Sequence, residues 1–226
     1  MVRIIFVSFI ACLFSLPILS QQINNAKKQK LSKLYIAPSA GVEVLSIKKY
    51  ENENKGYTVV YKGVPSVRLG FDASYKQTEK LIVHTGLFYS AKNFNRTETS
   101  NEGYSSYFYD QKFKNRYIET LIGGAFNFVS GRLDLGAYTN FNFSYLLSAT
   151  ETRLTETGNK FINNNKPNFN KMLGVFEPGL NFNYNINYRL SVGLKTGYRL
   201  YLNSIAIDKR FTNNGALFQS GFFYKF

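Results

Sequence analysis

The sequence predicts an all-β protein, a closed antiparallel up-and-down transmembrane β-barrel of about eight strands. First, aromatic residues make up 17% of the 226-residue chain, and glycine, asparagine and serine separate them, which is typical of β-structure. Second, apolar and polar residues alternate over segments of about ten residues, the length that a tilted strand needs to cross a bilayer. Third, long polar stretches alternate with tight turns along the chain, as they do in membrane barrels.

The N-terminal segment, residues 1–20, has the layout of a signal peptide. A basic start at Arg3 precedes an apolar run, Ile4–Leu19, and a small residue offers a cleavage point before Gln21. We therefore expect export by the general secretory pathway. A lipoprotein would instead be cut before Cys12, but the apolar run continues beyond this residue. Because Cys12 is the only cysteine, the mature chain would contain no disulfide.

The mature chain divides into a lead-in and one domain. Residues 21–33 are polar and rich in lysine, and we interpret them as a flexible basic lead-in in the periplasm. Residues 34–226 are predicted to form the outer-membrane β-barrel domain. Period-two alternation marks eight strand segments in this domain. They cover residues 36–44, 67–76, 81–90, 118–128, 133–147, 176–186, 190–202 and 218–226.

Each segment has an apolar face and a face of small polar residues that carries isolated charges. In the first four segments the polar face presents, in order, Glu43, then Arg68 and Asp72, then His84, then Glu119. The second half alternates more regularly. Its polar faces present Asp134 in the fifth segment, Glu177 in the sixth, and Lys195 and Arg199 in the seventh, while the eighth ends at Phe226.

The polar face is predicted to line the lumen and the apolar face to contact lipid. The polar face is dominated by Gly, Ser, Asn and Ala, which suit a narrow lumen better than a water-facing exterior. Aromatic residues such as Tyr75, Tyr89 and Tyr145 lie near strand ends on the apolar face, as in interfacial girdles. The alternative is a soluble lipocalin-like barrel, which would have its apolar face inside.

The connections alternate in length. Polar stretches at residues 48–62, 92–115, 150–171 and 204–214 are predicted to be long extracellular loops, whereas tight turns are expected near residues 77–78, 130–131 and 187–188 on the periplasmic side. An even number of strands places both chain ends in the periplasm.

A network of charges is predicted to fill the lumen. Because buried charges must be paired, we interpret it as a structural core of salt bridges, with a slow ion path as the alternative. A turn around Tyr188 would place Glu177 opposite Arg199, and a turn around Thr78 would place Asp72 opposite His84. The predicted network consists of Glu43, Arg68, Asp72, His84, Glu119, Asp134, Glu177, Lys195 and Arg199.

The formal net charge of +14 predicts an anionic partner. For an exported chain this would be lipopolysaccharide or an acidic glycan, and not nucleic acid. One predicted loop contains five cations around a tyrosine-rich stretch, and we expect it to bind anions unless its charge serves only solubility. These residues are Lys92, Arg96, Lys112, Lys114 and Arg116.

Enzymatic activity is not expected. His84 is the only histidine, and no second catalytic partner accompanies it in the sequence. Gly86 occupies the position two residues later, where a deacylase-like site would need a serine. The sequence contains no nucleophile elbow, phosphate loop or metal-spaced His/Cys cluster, so we expect no cofactor and no metal, and His84 is interpreted as structural.

Three stretches resemble the PorT-like outer-membrane β-barrel domain family. They are Tyr117–Gly124, Gly136–Tyr138 and Leu146–Ala149, and the likeness extends over nearly all of the mature chain. The resemblance implies an outer-membrane barrel and, as in some relatives, a role in protein secretion. Phe226 resembles the C-terminal signal that the barrel-assembly machinery reads. The sequence thus leaves two hypotheses: a structural or surface-interaction protein, and a narrow transport or channel protein.

Overall fold

The computed structural model describes residues 34–49, 57–100, 108–154, 160–164, 168–207 and 211–226. The predicted signal peptide, residues 1–20, and the predicted lead-in, residues 21–33, lie outside the described residues. In the described part of the chain, no helix is long and apolar enough to span a membrane.

Ten antiparallel strands form one sheet. Eight of them close into a ring in the order β3, β1, β10, β9, β8, β6, β5, β4, and β4 pairs with both β3 and β5. The strands are β1 (Leu34–Lys49), β2 (Tyr57–Val64), β3 (Ser66–Lys76), β4 (Leu81–Ser100), β5 (Phe108–Val129), β6 (Leu133–Leu154), β7 (Lys160–Asn164), β8 (Met172–Asn185), β9 (Leu190–Tyr201) and β10 (Phe211–Lys225).

The exterior of the ring is apolar and its interior is polar. Phe71, Ile122 and Phe218 are 58 to 62% exposed on the outside, whereas Glu119 and Arg199 are fully buried inside. An apolar surface of this extent is stable against lipid and not against water. The predicted transmembrane barrel is therefore confirmed, and the soluble lipocalin-like alternative is wrong.

The tight turns and both described chain ends lie at the same end of the barrel. The Phe226 N–H donates to the Leu34 carbonyl at 3.0 Å, and the Lys225 N–H donates to the Arg189 carbonyl in the β8–β9 turn at 2.7 Å. The Asn127 N–H, next to the β5–β6 turn, reaches the Lys80 carbonyl in the β3–β4 turn at 2.8 Å. The three short turns thus occur where the sequence predicts them.

At the opposite end, three strands continue far beyond the bilayer. β4, β5 and β6 have 20, 22 and 22 residues, about twice the number that crosses a membrane. β2 pairs with the far part of β4, and β7 pairs with the far part of β6. The result is a five-stranded sheet in the order β2, β4, β5, β6, β7, which we call the sheet extension. It contains residues 57–64, 93–100, 108–116, 148–154 and 160–164.

The sheet extension corrects the predicted loops. Much of residues 48–62, 92–115 and 150–171 is paired strand and not loop. Beyond the membrane the outward face of a strand no longer contacts lipid, so these strands lose the outward apolar residues that mark a membrane strand in the sequence. Their inward face still carries buried apolar residues such as Phe94 and Phe113. Pro65 separates β2 from β3, because proline lacks the N–H that the ladder needs.

A β-bulge marks the passage from ring to extension on β6. Tyr117 pairs with Leu146 and Arg116 pairs with Ser148, so that Leu147 is an extra residue. Leu146 is buried and Leu147 is 44% exposed. The bulge changes which parity of β6 faces inward, and it bends the strand as bulges do.

We expect the protein to migrate differently in gels before and after boiling. A closed ring leaves no free backbone edge in the detergent micelle, so the barrel should resist SDS until it is heated. The measurement compares unboiled with boiled samples of the wild type and of a truncation that lacks residues 211–226, which cannot close the ring. Identical migration of the wild type in both samples would contradict the closed barrel.

Candidate functional site

Six charged side chains meet in the middle of the lumen. Three glutamates and three cations face one another there, and each is at most 1% exposed. Because the two signs are equal in number, the charges can neutralise one another without solvent. We call this group the central charge cluster; it consists of Glu43, Arg68, Lys92, Glu119, Glu177 and Arg199.

Arg199 connects all three glutamates. Its Nη1 lies 2.7 Å from Glu43 Oε2, its Nη2 lies 2.8 Å from Glu119 Oε2, and its Nε lies 3.4 Å from Glu177 Oε2. The planar guanidinium has donors on several sides, so a single arginine can serve three carboxylates. The predicted Glu177–Arg199 contact is thus present, in the β8–β9 register that also pairs Asn181 with Lys195.

Glu119 is the second junction of the cluster. It accepts a hydrogen bond from Arg68 Nε at 2.8 Å, from Lys92 Nζ at 3.3 Å and from Ser144 Oγ at 3.0 Å. Arg68 also bonds to Gln219. Every strand of the ring contributes to these contacts. The residues are Glu43 of β1, Arg68 of β3, Lys92 of β4, Glu119 of β5, Ser144 of β6, Glu177 of β8, Arg199 of β9 and Gln219 of β10.

A second charged group lies closer to the tight turns. Asp72 Oδ1 is 3.2 Å from Lys195 Nζ, and Asp72 Oδ2 accepts hydrogen bonds from Ser39 Oγ at 2.8 Å and Gln219 Nε2 at 2.7 Å. Asp134 lies nearer the end of the barrel with the tight turns, where its Oδ1 accepts the Gly131 N–H at 2.9 Å. The predicted lumen residues all lie on the inward face. Gln219 links Asp72 to Arg68 of the central charge cluster. Asn140 links His84 to Glu177, because its Nδ2 donates to Glu177 Oε1 at 3.2 Å. Asp134 lies apart from these contacts, near the tight turns.

The predicted pairing of Asp72 with His84 is wrong. Asp72 lies opposite Gly86, and His84 lies opposite Ser74. The β3–β4 turn takes residues 77–80, and the Thr78 hydroxyl oxygen accepts the Leu81 N–H at 2.9 Å. This turn is longer than the tight turn assumed around Thr78, which shifts the register by two residues and keeps the facing.

His84 is held by an amide. Its Nε2 lies 2.5 Å from Asn140 Oδ1, and the side chain is 3% exposed. An amide does not activate a histidine as a general base in the way that a carboxylate does. In the part of the chain that is described, no three His, Cys, Asp or Glu side chains are grouped as metal ligands.

Lys92 belongs to the interior and not to an anion-binding loop. It is fully buried, and its Nζ is 3.2 Å from Glu43 Oε2 and 3.3 Å from Glu119 Oε2. The strand predicted from the sequence ends at Ser90. The inward parity of His84, Phe88 and Ser90 continues to Lys92. This continued alternation is the sequence signal that would have assigned Lys92 to the lumen.

The other predicted anion-binding residues are divided between two faces of the sheet extension. Arg96 faces inward, where its Nε donates to Tyr61 Oη at 3.1 Å and its Nη1 donates to Gln111 Oε1 at 3.0 Å. Lys112, Lys114 and Arg116 face outward on β5. The prediction of one basic loop is wrong, because neighbouring positions on a strand point to opposite sides.

An aromatic cap, which was not predicted from the sequence, closes the lumen next to the central charge cluster and includes inward residues of the sheet extension. The rings of Phe94 and Phe113 stack at 4.7 Å, and Phe169 meets them edge-on at 6.2 and 5.8 Å. Phe169 lies in a segment predicted to be a loop, which instead folds inward and forms a bridge with Ala206. The buried members of the cap are Leu45, Ile47, Phe94, Phe113, Tyr117, Leu146, Ala149, Phe169, Leu173 and Ile205.

No protein-family model and no curated protein sequence matches the chain. Solved structures do match it. Ail, the attachment invasion locus protein of Yersinia pestis, is 11% identical over 86% of this chain and 98% of its own, with a TM-score of 0.44. The outer membrane protein OprG from Pseudomonas aeruginosa is 14% identical over 86% and 96%, with a TM-score of 0.42. Neisserial surface protein A is 10% identical over 85% and 97%, with a TM-score of 0.41.

We expect the substitution Arg199→Gln to destabilise the barrel by about 3–5 kcal/mol, because it leaves three buried glutamates with two cations. The double variant Arg199→Gln/Glu177→Gln restores equal numbers of each sign and should lose less. Since the chain contains no tryptophan, unfolding in detergent micelles is followed by circular dichroism during a urea titration.

The matched control is Glu79→Gln, which removes a carboxylate from an exposed turn position and should change the free energy of unfolding by less than about 0.5 kcal/mol. The importance of charge pairing in the lumen is refuted if Arg199→Gln is as stable as this control.

Proposed function

We propose that this chain is a non-enzymatic outer-membrane β-barrel protein with a structural or surface-interaction role, and that it acts through its sheet extension and not through its lumen. The observation that carries the proposal is the filled interior. The central charge cluster spans the lumen, and the aromatic cap lies directly beyond it.

The physical chemistry of the interior supports this proposal. A ring of eight strands encloses little more than its own side chains. An ion that passed the cluster would have to separate pairs such as Arg199–Glu119, whose atoms are 2.8 Å apart, and would then lose its hydration in the cap. Interior side chains that are paired with one another stabilise the barrel wall. We therefore assign binding to the outer surface of the barrel.

The proposed partners are lipopolysaccharide, an acidic glycan or a component of a secretion system. The sheet extension carries cations on its outward face, at Lys62, Lys112, Lys114 and Arg116. With a net charge of +14, the chain attracts anionic surfaces at low ionic strength. Contact with lipopolysaccharide is supported by the same lipid-facing exterior that makes the ring a membrane protein.

The proposed location is the outer membrane of a Gram-negative bacterium. Short turns face the periplasm and long connections face outward in barrels of this membrane, which supports a position of the sheet extension outside the cell. Phe226 is 64% exposed at the periplasmic end, where the barrel-assembly machinery would read it. Membership of the PorT-like family and a role in secretion stay predictions.

The second candidate function is narrow transport, and one observation favours it. A small cavity of about 40 Å³ lies in the half of the barrel near the tight turns. Its lining includes His84, Asn181, Ser191 and Lys195. Its lining contains none of the six residues of the central charge cluster, so the cavity ends where a conducting path would have to continue.

We expect the folded barrel to show no reproducible conductance steps in planar bilayers, because the cluster and the cap block the lumen. Single-channel recordings are made on protein whose folding has been verified by its heat-dependent migration, and on protein-free bilayers as the control. Clear and repeatable steps would refute the surface-interaction proposal in favour of transport.

We expect the mature protein to sediment with the outer membrane in a sucrose gradient, because its exterior is apolar around the whole ring. Marker proteins of the inner membrane and the periplasm provide the controls. Recovery in the soluble periplasmic fraction would contradict the proposed location.

A further inference from the structure

The outward face of β5 changes abruptly from apolar to basic. The lipid-facing positions run from Phe128 to Ile118, a distance of ten residue steps that covers about 33 Å along the strand. With a tilt of 35–45°, this length corresponds to an apolar band about 25 Å tall. Arg116 is the next outward residue, and Lys114 and Lys112 follow it. We call these three residues the basic strand face.

Aromatic residues mark the edge of the bilayer directly beside this transition. Ile118 pairs with Tyr89 on β4 and with Tyr145 on β6. Both tyrosines are exposed, at 42% and 49%, and tyrosine is enriched at the level of lipid headgroups. Arg116 therefore lies within the headgroup layer, and Lys114 lies about 7 Å farther along the strand.

The residues that pair with Lys112 and Lys114 on the two neighbouring strands are polar and uncharged. Asn95 and Thr152 flank Lys112, while Asn93 and Thr150 flank Lys114. Amide and hydroxyl groups donate hydrogen bonds to phosphate oxygens, and arginine binds phosphate through two parallel N–H groups. Lys62 of β2 lies on the same outward face, opposite Asn95.

The cations on the two faces of the sheet extension differ in their side-chain partners. On the inward face Glu151 accepts from Arg153 Nε at 2.5 Å, and a glutamine holds Arg96. On the outward face Asp110 is 4.0 Å from Lys112. Among the described residues, no carboxylate pairs with Lys114 or Arg116. Positive charge is thus left available on the side that continues into the lipid-facing surface.

The geometry points to the basic strand face as a binding site for the phosphate groups of lipid headgroups in the outer leaflet. This assignment rests on the proposed location and deepens the proposed surface role. The continuity with the apolar band favours a lipid over a soluble glycan, because one molecule can place its acyl chains beside Ile118 and its phosphates beside Arg116 and Lys114.

The test measures lipid binding to the full mature chain in neutral detergent micelles by native mass spectrometry. The probes are diphosphorylated lipid A, the same lipid without its phosphates, and a soluble acidic polysaccharide. The variant Lys112→Gln/Lys114→Gln/Arg116→Gln is compared with the control Lys80→Gln/Arg132→Gln/Arg189→Gln, which removes three exposed cations from the opposite end of the barrel.

We expect the basic-strand-face variant to bind diphosphorylated lipid A about 100-fold more weakly at low salt, since each cation near an anionic surface contributes a factor of about five. The control should bind like the wild type, and the dephosphorylated lipid should bind the wild type and the variant equally. If the triple variant does not fold, Arg116→Gln alone should lose about fivefold, whereas Lys112→Arg/Lys114→Arg/Arg116→Lys should retain binding.

Equal binding of lipid A by the wild type and a folded basic-strand-face variant would overturn the site. Loss of polysaccharide binding without loss of lipid A binding would also overturn it, because the ligand would then be a soluble glycan. Neither result alters the conductance recordings, which decide the proposed surface role separately.

Discussion

The contact of Arg199 with Glu43, Glu119 and Glu177 is the constraint on which the rest of this barrel depends. Charges inside a narrow lumen are stable only when they are paired. Because each partner comes from a different strand, the pairs can form in one register of the whole ring only. A one-residue slip of any of these strands would turn a charge toward lipid, so the same contacts that neutralise the interior also determine which way every strand faces.

The facing of the strands could be predicted from the sequence because period two is a local property of the chain. The register could be predicted only where the turn length was known. The β8–β9 hairpin has its turn around Tyr188, as predicted, and the predicted register of the two strands is therefore correct. The β3–β4 turn has four residues, 77–80. The length of this turn cannot be deduced from the apolar and polar alternation of the two strands. The predicted partner of His84 was therefore wrong although its inward facing was right.

The sheet extension and the aromatic cap could not be predicted in the same way. Strands outside a bilayer need no continuous apolar face, so β2 and β7 resemble loops in the sequence. Lys92 was assigned to a loop because the large outward apolar residues of β4 end at Tyr89, although it completes the central charge cluster. The cap depends on Phe169 and Ile205, which lie in irregular segments and reach the lumen through a bridge between Phe169 and Ala206. Such contacts between distant segments have no local sequence signal.

The distribution of the central charge cluster along the chain bears on how the barrel enters its membrane. Glu43 and Gln219 belong to the first and last strands of the ring, and the cluster gains Arg199 only when β9 is in place. A partly inserted sheet would expose unpaired glutamates and arginines to hydrocarbon, at a cost of several kcal/mol each. Insertion strand by strand is therefore disfavoured, and the ring must close at the moment of entry. Because its defining contacts join residues far apart in sequence, folding should be slow and highly cooperative.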